Sequence, residues 1–208
     1  MTTRPVDDAV VLVVDDDPSM REQLRSLIRS VGLACETFAS GDAFLDYQRS
    51  ERASCVVLDV LLPDASGLDL PSRLERAGVQ IPIIFITGHG TIPMSVRAMK
   101  AGAVEFLTKP FSTAELLGAI AQALERDRAA LAARAEEQAL RARFAKLTPR
   151  ERDVFFGVAA GRLNKQIAAD LGTAEQTVKQ HRGRVMEKLG LDSVADLVRL
   201  AERLAPPA

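Results

Sequence analysis

Apolar and polar positions alternate in blocks along the first 125 residues. Ala9–Val14 (AVVLVV) is a continuous apolar run of strand length. From Pro18 the spacing becomes helical, with Met20, Leu24, Leu27, Ile28 and Val31 on one face and Gly32 as the stop. A short strand follows around Ala34–Phe38, then a helix around Asp42–Arg49, a strand over Ser54–Leu58 and a helix over Gly67–Arg76. A strand over Ile81–Thr87, a helix around Met94–Ala101 and a strand over Val104–Leu107 complete the block. Parallel strands need crossover helices, and helices that alternate with apolar strands cover both sheet faces. The pattern therefore predicts an α/β domain, a doubly wound five-stranded parallel sheet.

Ser112-Thr-Ala-Glu115 reads as a capping box that opens a fifth helix. This helix runs on to about Ala145 without Pro and, after Gly118, without Gly. Leu117, Leu124 and Leu131 are spaced by heptads, but the next such position is Gln138. Two readings stay open for it: a short dimerising coiled coil, or a solvated, ion-paired spacer. Thr148-Pro-Arg-Glu151 is a second capping box with Pro at the first helical position. Helices then follow at about Pro149–Ala160, Lys165–Leu171, Ala174–Leu189 and Val194–Leu204. Gly161, Gly172 and Gly190 stand as terminators, with Thr173 and Ser193 as N-cap candidates for the last two helices. The boundaries read as a first domain over 1–125, a helical linker over 126–146 and a small all-α domain over 147–208.

Charge adds a constraint. The 208 residues carry 27 Lys+Arg against 28 Asp+Glu, so any surface for a polyanion must be local. Cys35 and Cys55 match no metal-ligand spacing and read as reduced thiols. No apolar stretch reaches the length of a membrane span, and the N-terminus lacks the pattern of a secretion signal, so no membrane partner and a cytoplasmic location are expected.

Asp59 interrupts the apolar run VVLDVLLPD at 56–64. An unpaired carboxylate inside a core costs on the order of several kcal/mol, so Asp59 either emerges at a strand tip or meets a cation. In open parallel sheets chemistry gathers beyond the carboxyl ends of the strands. Here those ends are Asp15-Asp16-Asp17, Asp59, Thr87 and the neighbourhood of Lys109. A single strand-end aspartate is usually a turn former or a helix cap, but functional groups at four of five strand ends form a constellation. Clustered carboxylates call for a cation, and an all-oxygen set suits Mg²⁺. A carboxylate beside such a cation can attack a phosphoryl group, with Lys109 and Thr87 placed to meet its oxygens.

VVDDDPSMR (13–21), VVLDVLLPDASG (56–67), FITGHG (85–90) and AMKAGAVEFLTKPF (98–111) resemble the receiver domain of two-component response regulators. The resemblance implies a flavodoxin-like (CheY-like) sheet of order 2-1-3-4-5 with Asp59 as the phosphoacceptor. Asp15 and Asp16 would form the acidic pair for Mg²⁺, and Asp16, Asp59 and the Leu61 carbonyl would be the direct ligands. Lys109 would touch the phosphoryl group, with a cis peptide before Pro110. Thr87 and Phe106 would be the switch pair, although Phe106 also reads as a plain core aromatic. Leu61 and His89 depart from common receiver patterns. Leucine cannot hold an attacking water, which points to a long-lived phosphoaspartate. His89 either orients water against that effect or is a surface loop residue.

In the C-terminal block, Val178, Val185 and Leu189 form an apolar stripe. Gln176, Lys179, Gln180, Gly183 and Glu187 share another face. A short helix with a cationic outer face after a Gly turn is what helix-turn-helix readers need, although a solvated helix looks similar. LTPRERDV (147–154), AAGRLNKQIAADLG (159–172) and TVKQHRGRVMEKLG (177–190) resemble the LuxR/GerE-type helix-turn-helix of FixJ/NarL-class regulators. That resemblance places Lys179 and Gln180 toward bases, with Gly183 at a base-facing position that commonly carries a longer residue. Arg162, Asn164, Lys165, Thr177, Arg182, Arg184 and Lys188 become candidates for backbone contacts, and His181 a packed residue that orients the helix. The last helix, with Val194, Leu197 and Val198, would pair two modules on a palindromic site. The implied whole is a transcription factor, not an enzyme beyond its own phosphorylation and dephosphorylation. Its partners would be a sensor histidine kinase, double-stranded promoter DNA, a second copy of itself and, as a candidate, RNA polymerase. Activation rather than repression is expected by analogy. An Mg²⁺-dependent phosphotransferase and a DNA-free adaptor are the competing classes.

Overall fold

The computed structural model describes residues 9–63 and 66–204. The first eight residues of the N-terminal domain, Asp64–Ala65 and the tail from Ala205 lie outside the described residues. The chain divides into two units, Met1–Ala132 and Ala133–Ala208.

In the first unit, β1 (Ala9–Val14), β2 (Ala34–Phe38), β3 (Ala53–Asp59), β4 (Ile83–Thr87) and β5 (Glu105–Thr108) form one sheet. Its order is β2-β1-β3-β4-β5 and every pairing is parallel. Strand alternation divides the apolar residues between two cores. Val11, Val13, Cys55, Val57, Ile84 and Ile86 face α1 (Pro18–Ser30) and the first half of α5 (Thr113–Ala145), through Leu24, Ile28, Leu116 and Ile120. Val10, Leu12, Val56, Leu58 and Phe85 face α2 (Gly41–Leu45), α3 (Leu70–Arg76) and α4 (Ile92–Lys100), through Phe44, Leu74 and Ala98. Burial on both faces explains why β1 reads as an unbroken apolar run and β3 as a nearly continuous one up to Asp59.

Local chemistry moves several boundaries from the sequence expectation. Helix α2 stops at Leu45, because Arg49 is drawn away to Ser54 Oγ (2.7 Å), the Gln80 carbonyl (2.6 Å) and the Asp127 carboxylate. The helix expected over 67–76 opens instead with a 3₁₀ turn, Gly67–Asp69, and α3 begins beside Pro71. β4 starts at Ile83 because Pro82 has no N–H to pair, although its carbonyl still accepts from Val56 N (2.9 Å). Helix α4 starts at Ile92, with Thr91 capping the Met94 amide (3.4 Å).

The Leu117, Leu124 and Leu131 seam is corrected most. All three pack onto the first unit's own core, with Leu124 fully buried, so they offer no free coiled-coil stripe. The far end of the same helix, through Leu140 and Phe144, packs on the second unit's core.

The second unit contains α6 (Pro149–Ala159), α7 (Asn164–Leu171), α8 (Glu175–Leu189) and α9 (Val194–Leu204) around Val154, Phe155, Ile167, Val178, Val185, Leu189 and Leu197. Both halves of the Thr148/Glu151 capping box are present. Ser193 caps α9 through the Asp196 amide (3.2 Å). Thr173 is not a cap. Its amide closes the left-handed turn at Gly172 (φ 61°) by donating to the Ala168 carbonyl (3.0 Å), and α8 starts from Ala174 with no side-chain cap.

Cys35 and Cys55 are free and buried on opposite sides of Val11 in the sheet register. Burial pushes the Cys35 thiol up to about 11, and burial beside the Asp127 charge pushes Cys55 higher still.

Candidate functional site

Three strand ends and the segment after β5 build an acidic pocket at one edge of the sheet. β1 delivers Asp15, fully buried, followed by Asp16 and Asp17. These aspartates divide their work. Asp17 accepts from the Ser19 amide (2.8 Å) and caps α1, while its own amide donates to Asp15 Oδ1 (2.9 Å). Asp59 is the last residue of β3 and is 7% exposed. Carboxylate oxygens of Asp15, Asp16 and Asp59 lie within 4.8 Å of one another.

Lys109 follows β5, beside a cis peptide to Pro110 as the resemblance implied. Its amide donates to the Thr87 carbonyl (2.7 Å), which fixes the segment against β4. Its ammonium donates to Asp59 Oδ2 (2.7 Å) and Asp15 Oδ2 (3.0 Å). The cation that the Asp59 interruption demands is therefore present in the chain.

The electrostatics leave room for a second cation. Three carboxylates share the one ammonium that touches them, so the cluster stays acidic and a further cation would be favoured there. Burial raises the Asp15 pKa and the Asp59 charge adds to that, while Lys109 and the Asp17 amide only partly offset it. Burial pulls the Lys109 ammonium down, but its hydrogen bonds to Asp59 and Asp15 outweigh this and hold it above its ordinary value. The acidic cluster is thus compatible with Mg²⁺, and its oxygen-only donors suit that ion.

The flanking groups are placed as follows. The Leu61 amide donates to Asp59 Oδ1 (2.9 Å), and Leu61 is 52% exposed. Gly67 donates to the Val60 carbonyl (2.8 Å) and pins the turn after β3. Thr87 is buried, and its hydroxyl accepts from the His89 amide (3.2 Å), so it is held by its own loop and not by Asp59. Phe106 is half-buried, with its ring 6.4 Å from that of Phe85. His89 is exposed.

Sequence reasoning missed Arg21. Its guanidinium donates to the carbonyls of Asp15 (2.7 Å) and Asp16 (2.9 Å) and braces the acidic loop from one turn inside α1. Its place at the end of VVDDDPSMR was the available signal.

In the second unit, α8 turns Val178, Val185 and Leu189 inward and leaves Lys179, Gln180, Gly183 and Arg184 exposed. Lys165 and Arg162 are exposed, with Arg162 ion-paired to Asp170, while Asn164, Thr177 and Arg182 are half-buried. His181 is half-buried with its Nδ1 enclosed, which fits a packed residue better than a base contact.

Lys188 is exposed, and its ammonium is engaged by the buried Glu151 carboxylate (2.6 Å), so it ties α8 to α6. One sequence expectation needs correction here: Leu197 is fully buried in the module's core and leaves the pairing surface. Val194 is exposed and Val198 half-buried. Nothing in the single-helix spacing distinguished Leu197 from its neighbours.

Comparison with known proteins agrees with both halves. Residues 11–121 match the response regulator receiver domain, and residues 145–201 match the bacterial regulatory proteins of the luxR family. The chain is 53% identical over 196 residues to nodulation protein W of Bradyrhizobium diazoefficiens, covering 94% of this chain and 86% of that protein. It is 40% identical over 193 residues to the transcriptional regulatory protein FixJ of the same species, covering 93% and 94%. Among solved structures, the response regulator StyR aligns with a TM-score of 0.84 at 48% identity, over 94% of this chain and 99% of that one. With the acidic strand ends in one half and the exposed cationic helix in the other, the chain belongs to the response regulator family, as a member that joins a receiver domain to a LuxR-type DNA-binding domain.

Proposed function

We propose that this response regulator is switched by phosphorylation of Asp59 from a cognate sensor histidine kinase, and that the phosphorylated form dimerises and binds palindromic promoter DNA as an activator. The observation that carries the reading is Lys109, whose one ammonium spans Asp59 and Asp15 beside Asp16.

In the transfer step an Asp59 carboxylate oxygen attacks the phosphorus of a phosphohistidine. The new O–P bond forms as the N–P bond breaks, and the histidine nitrogen leaves with the electron pair. Asp15, Asp16, Asp59 and the Leu61 carbonyl would hold Mg²⁺, which supplies positive charge for the phosphoryl oxygens. Lys109 keeps one hydrogen bond to Asp15 while its contact to Asp59 passes to a phosphoryl oxygen. The Thr87 hydroxyl leaves the His89 amide for another phosphoryl oxygen, and Phe106 turns inward behind it. Hydrolysis returns the carboxylate and inorganic phosphate. Leu61 offers no group to hold the attacking water, so the phosphoaspartate is long-lived. No other enzymatic activity is assigned.

On DNA, α8 enters the major groove with Lys179 and Gln180 toward bases. Gly183 lies close to the duplex, and Arg162, Asn164, Lys165, Thr177, Arg182 and Arg184 contact the backbone. Val194 and Val198 pair two modules, and linked half-site contacts raise affinity. RNA polymerase is the downstream partner. A cytoplasmic location accords with the absence, among the described residues, of a helix long and apolar enough to cross a membrane.

Selection of bound fragments from a genomic library, with phosphodonor and Mg²⁺, tests the whole scheme. Wild type is expected to enrich inverted-repeat promoter fragments and Asp59→Asn is not. Equal enrichment by both proteins would overturn phosphorylation control.

A further inference from the structure

The loop between β4 and α4 contains two glycines, Gly88 and Gly90, and neither has a positive φ. Backbone conformation therefore does not explain them. Their surroundings differ sharply. A Cβ added at Gly88 would meet nothing within 4 Å. A Cβ added at Gly90 would lie 2.5 Å from Thr108 Cγ2, 3.3 Å from Phe106 Cε1 and 3.4 Å from Thr87 Cγ2. The first separation is far inside the ~3.5–4.0 Å optimum for two carbons. Two of those three neighbours are the residues proposed above as the switch pair.

We propose that Gly90 is a positioning residue of the switch: its bare Cα lets the loop lie directly on Thr87, Phe106 and Thr108, so that rotation of Thr87 is passed to the Phe106 ring. The inference rests on the phosphorylation of Asp59 proposed above. Thr87 Oγ1 and Cγ2 share one Cβ, so turning the hydroxyl from the His89 amide to a phosphoryl oxygen swings the methyl as well. That methyl and the Phe106 ring edge both border the position a Cβ of residue 90 would take. The bare glycine is thus the wall shared by the side chain that receives the signal and the one that passes it on. A methyl at position 90 does not fit there. Either Thr108 gives way or the loop lifts, and in both cases Thr87 and Phe106 lose their common wall. None of the three atoms nearest to a Cβ at position 90 belongs to Asp59, Asp15, Asp16 or Lys109, so phosphoryl capture is expected to persist.

The full-length chain, with ¹³C-labelled phenylalanine, is treated with acetyl phosphate and Mg²⁺. Phosphoryl uptake on Asp59 is followed by intact mass and the Phe106 ring resonance by NMR. In wild type the resonance is expected to shift as the label appears. Gly90→Ala is expected to take up phosphoryl within about threefold of the wild-type rate, a barrier change smaller than one tenfold step, while its Phe106 resonance stays at the unlabelled position. Gly88→Ala is expected to behave as wild type. Gly90→Ala/Thr108→Ser, which removes the clashing Cγ2, is expected to regain the shift. A wild-type-like shift in labelled Gly90→Ala overturns the proposal, as does loss of the shift in Gly88→Ala, failure of Thr108→Ser to restore it, or a Phe106 resonance that never moves in labelled wild type. Absence of label on wild type removes the Asp59 reading, and this inference with it.

Discussion

Asp127 is the buried charge whose removal should disturb the receiver most. It lies midway along α5 with 1% of its side chain exposed, and it serves three elements. It accepts from the Arg49 guanidinium after α2 and from the buried Ser54 amide in β3 (2.8 Å), while Arg49 also reaches the Gln80 carbonyl before β4 (2.6 Å). Asp127→Ala strands the Ser54 N–H, at about 1–3 kcal/mol. It also leaves Arg49 without its counter-charge, and breaking a buried pair typically costs about 3–5 kcal/mol. Arg49 keeps two neutral acceptors and 16% exposure, which reduces the second cost. A loss of about 3 kcal/mol follows. With a urea dependence of about 2 kcal/mol per molar, the midpoint falls by about 1.5 M. The assay is direct, because the chain has no Trp and a single Tyr, and that Tyr47 packs on Phe38 inside the receiver (centroids 5.2 Å apart). Tyrosine fluorescence therefore reports this unit alone. Asp127→Asn keeps an acceptor for Ser54 and should fall between the two. Arg49→Met/Asp127→Leu removes both charges but still strands the Ser54 N–H, so it should recover only the unpaired-charge part of the loss and stay about 1–3 kcal/mol below wild type. A midpoint change for Asp127→Ala equivalent to less than about 0.5 kcal/mol would refute the reasoning, since that is the range of ordinary surface substitutions.

The Lys188 ammonium holds the Glu151 carboxyl below its ordinary value of 4.5, helped by the Thr148 amide. A depressed folded pKa contributes stability that is full above the ordinary value and is lost as pH falls through the folded one. Lys188→Met should therefore lower the second unit's urea midpoint at neutral pH, as followed by Val185 methyl NMR, and the gap should begin to close below pH 4.5 and vanish only once pH has fallen through the depressed Glu151 pKa; a pH-independent gap would count against the pair. At Gly67 an added Cβ would lie 2.2 Å from the Asp59 carbonyl oxygen, which is backbone and cannot yield. Gly67→Ala should weaken Mg²⁺ binding at least tenfold by calorimetry, the equivalent of about 1.4 kcal/mol or more, and an unchanged Kd would show that the turn after β3 tolerates displacement. Leu61→Asn gives water a hydrogen-bonding partner beside Asp59 and should shorten the phosphoaspartate lifetime in a timed mass assay; equal lifetimes would shift control of hydrolysis away from position 61.

Much of the receiver was legible because a parallel sheet buried on both faces writes its strands as apolar runs and leaves its polar chemistry at their ends. Asp15 and Thr87 stood where such a run stopped, Asp59 interrupted one, and Lys109 stood two residues past the last apolar residue of another. Ions that join distant segments left no such trace. Arg49 and Asp127 are 78 residues apart, and Glu151 and Lys188 are 37 apart. Arg49 and Asp127 carried no local signal of a partner, Glu151 read only as half of a capping box, and Lys188 read as a candidate DNA contact. Periodicity also misled. Leu117, Leu124 and Leu131 repeat as a dimer seam would, yet a helix packed on a sheet presents the same stripe. Leu197 differs from Val194 and Val198 only in which way α9 is turned, and that is a tertiary fact.

The two thiols have a practical consequence. Cys35 and Cys55 are sealed in the sheet, and their raised pKa values leave little thiolate at neutral pH even apart from access. A thiol-reactive probe will therefore mark them only when the receiver opens. Labelling rate in dilute denaturant becomes a built-in counter of opening events, obtained without adding a reporter residue to the chain.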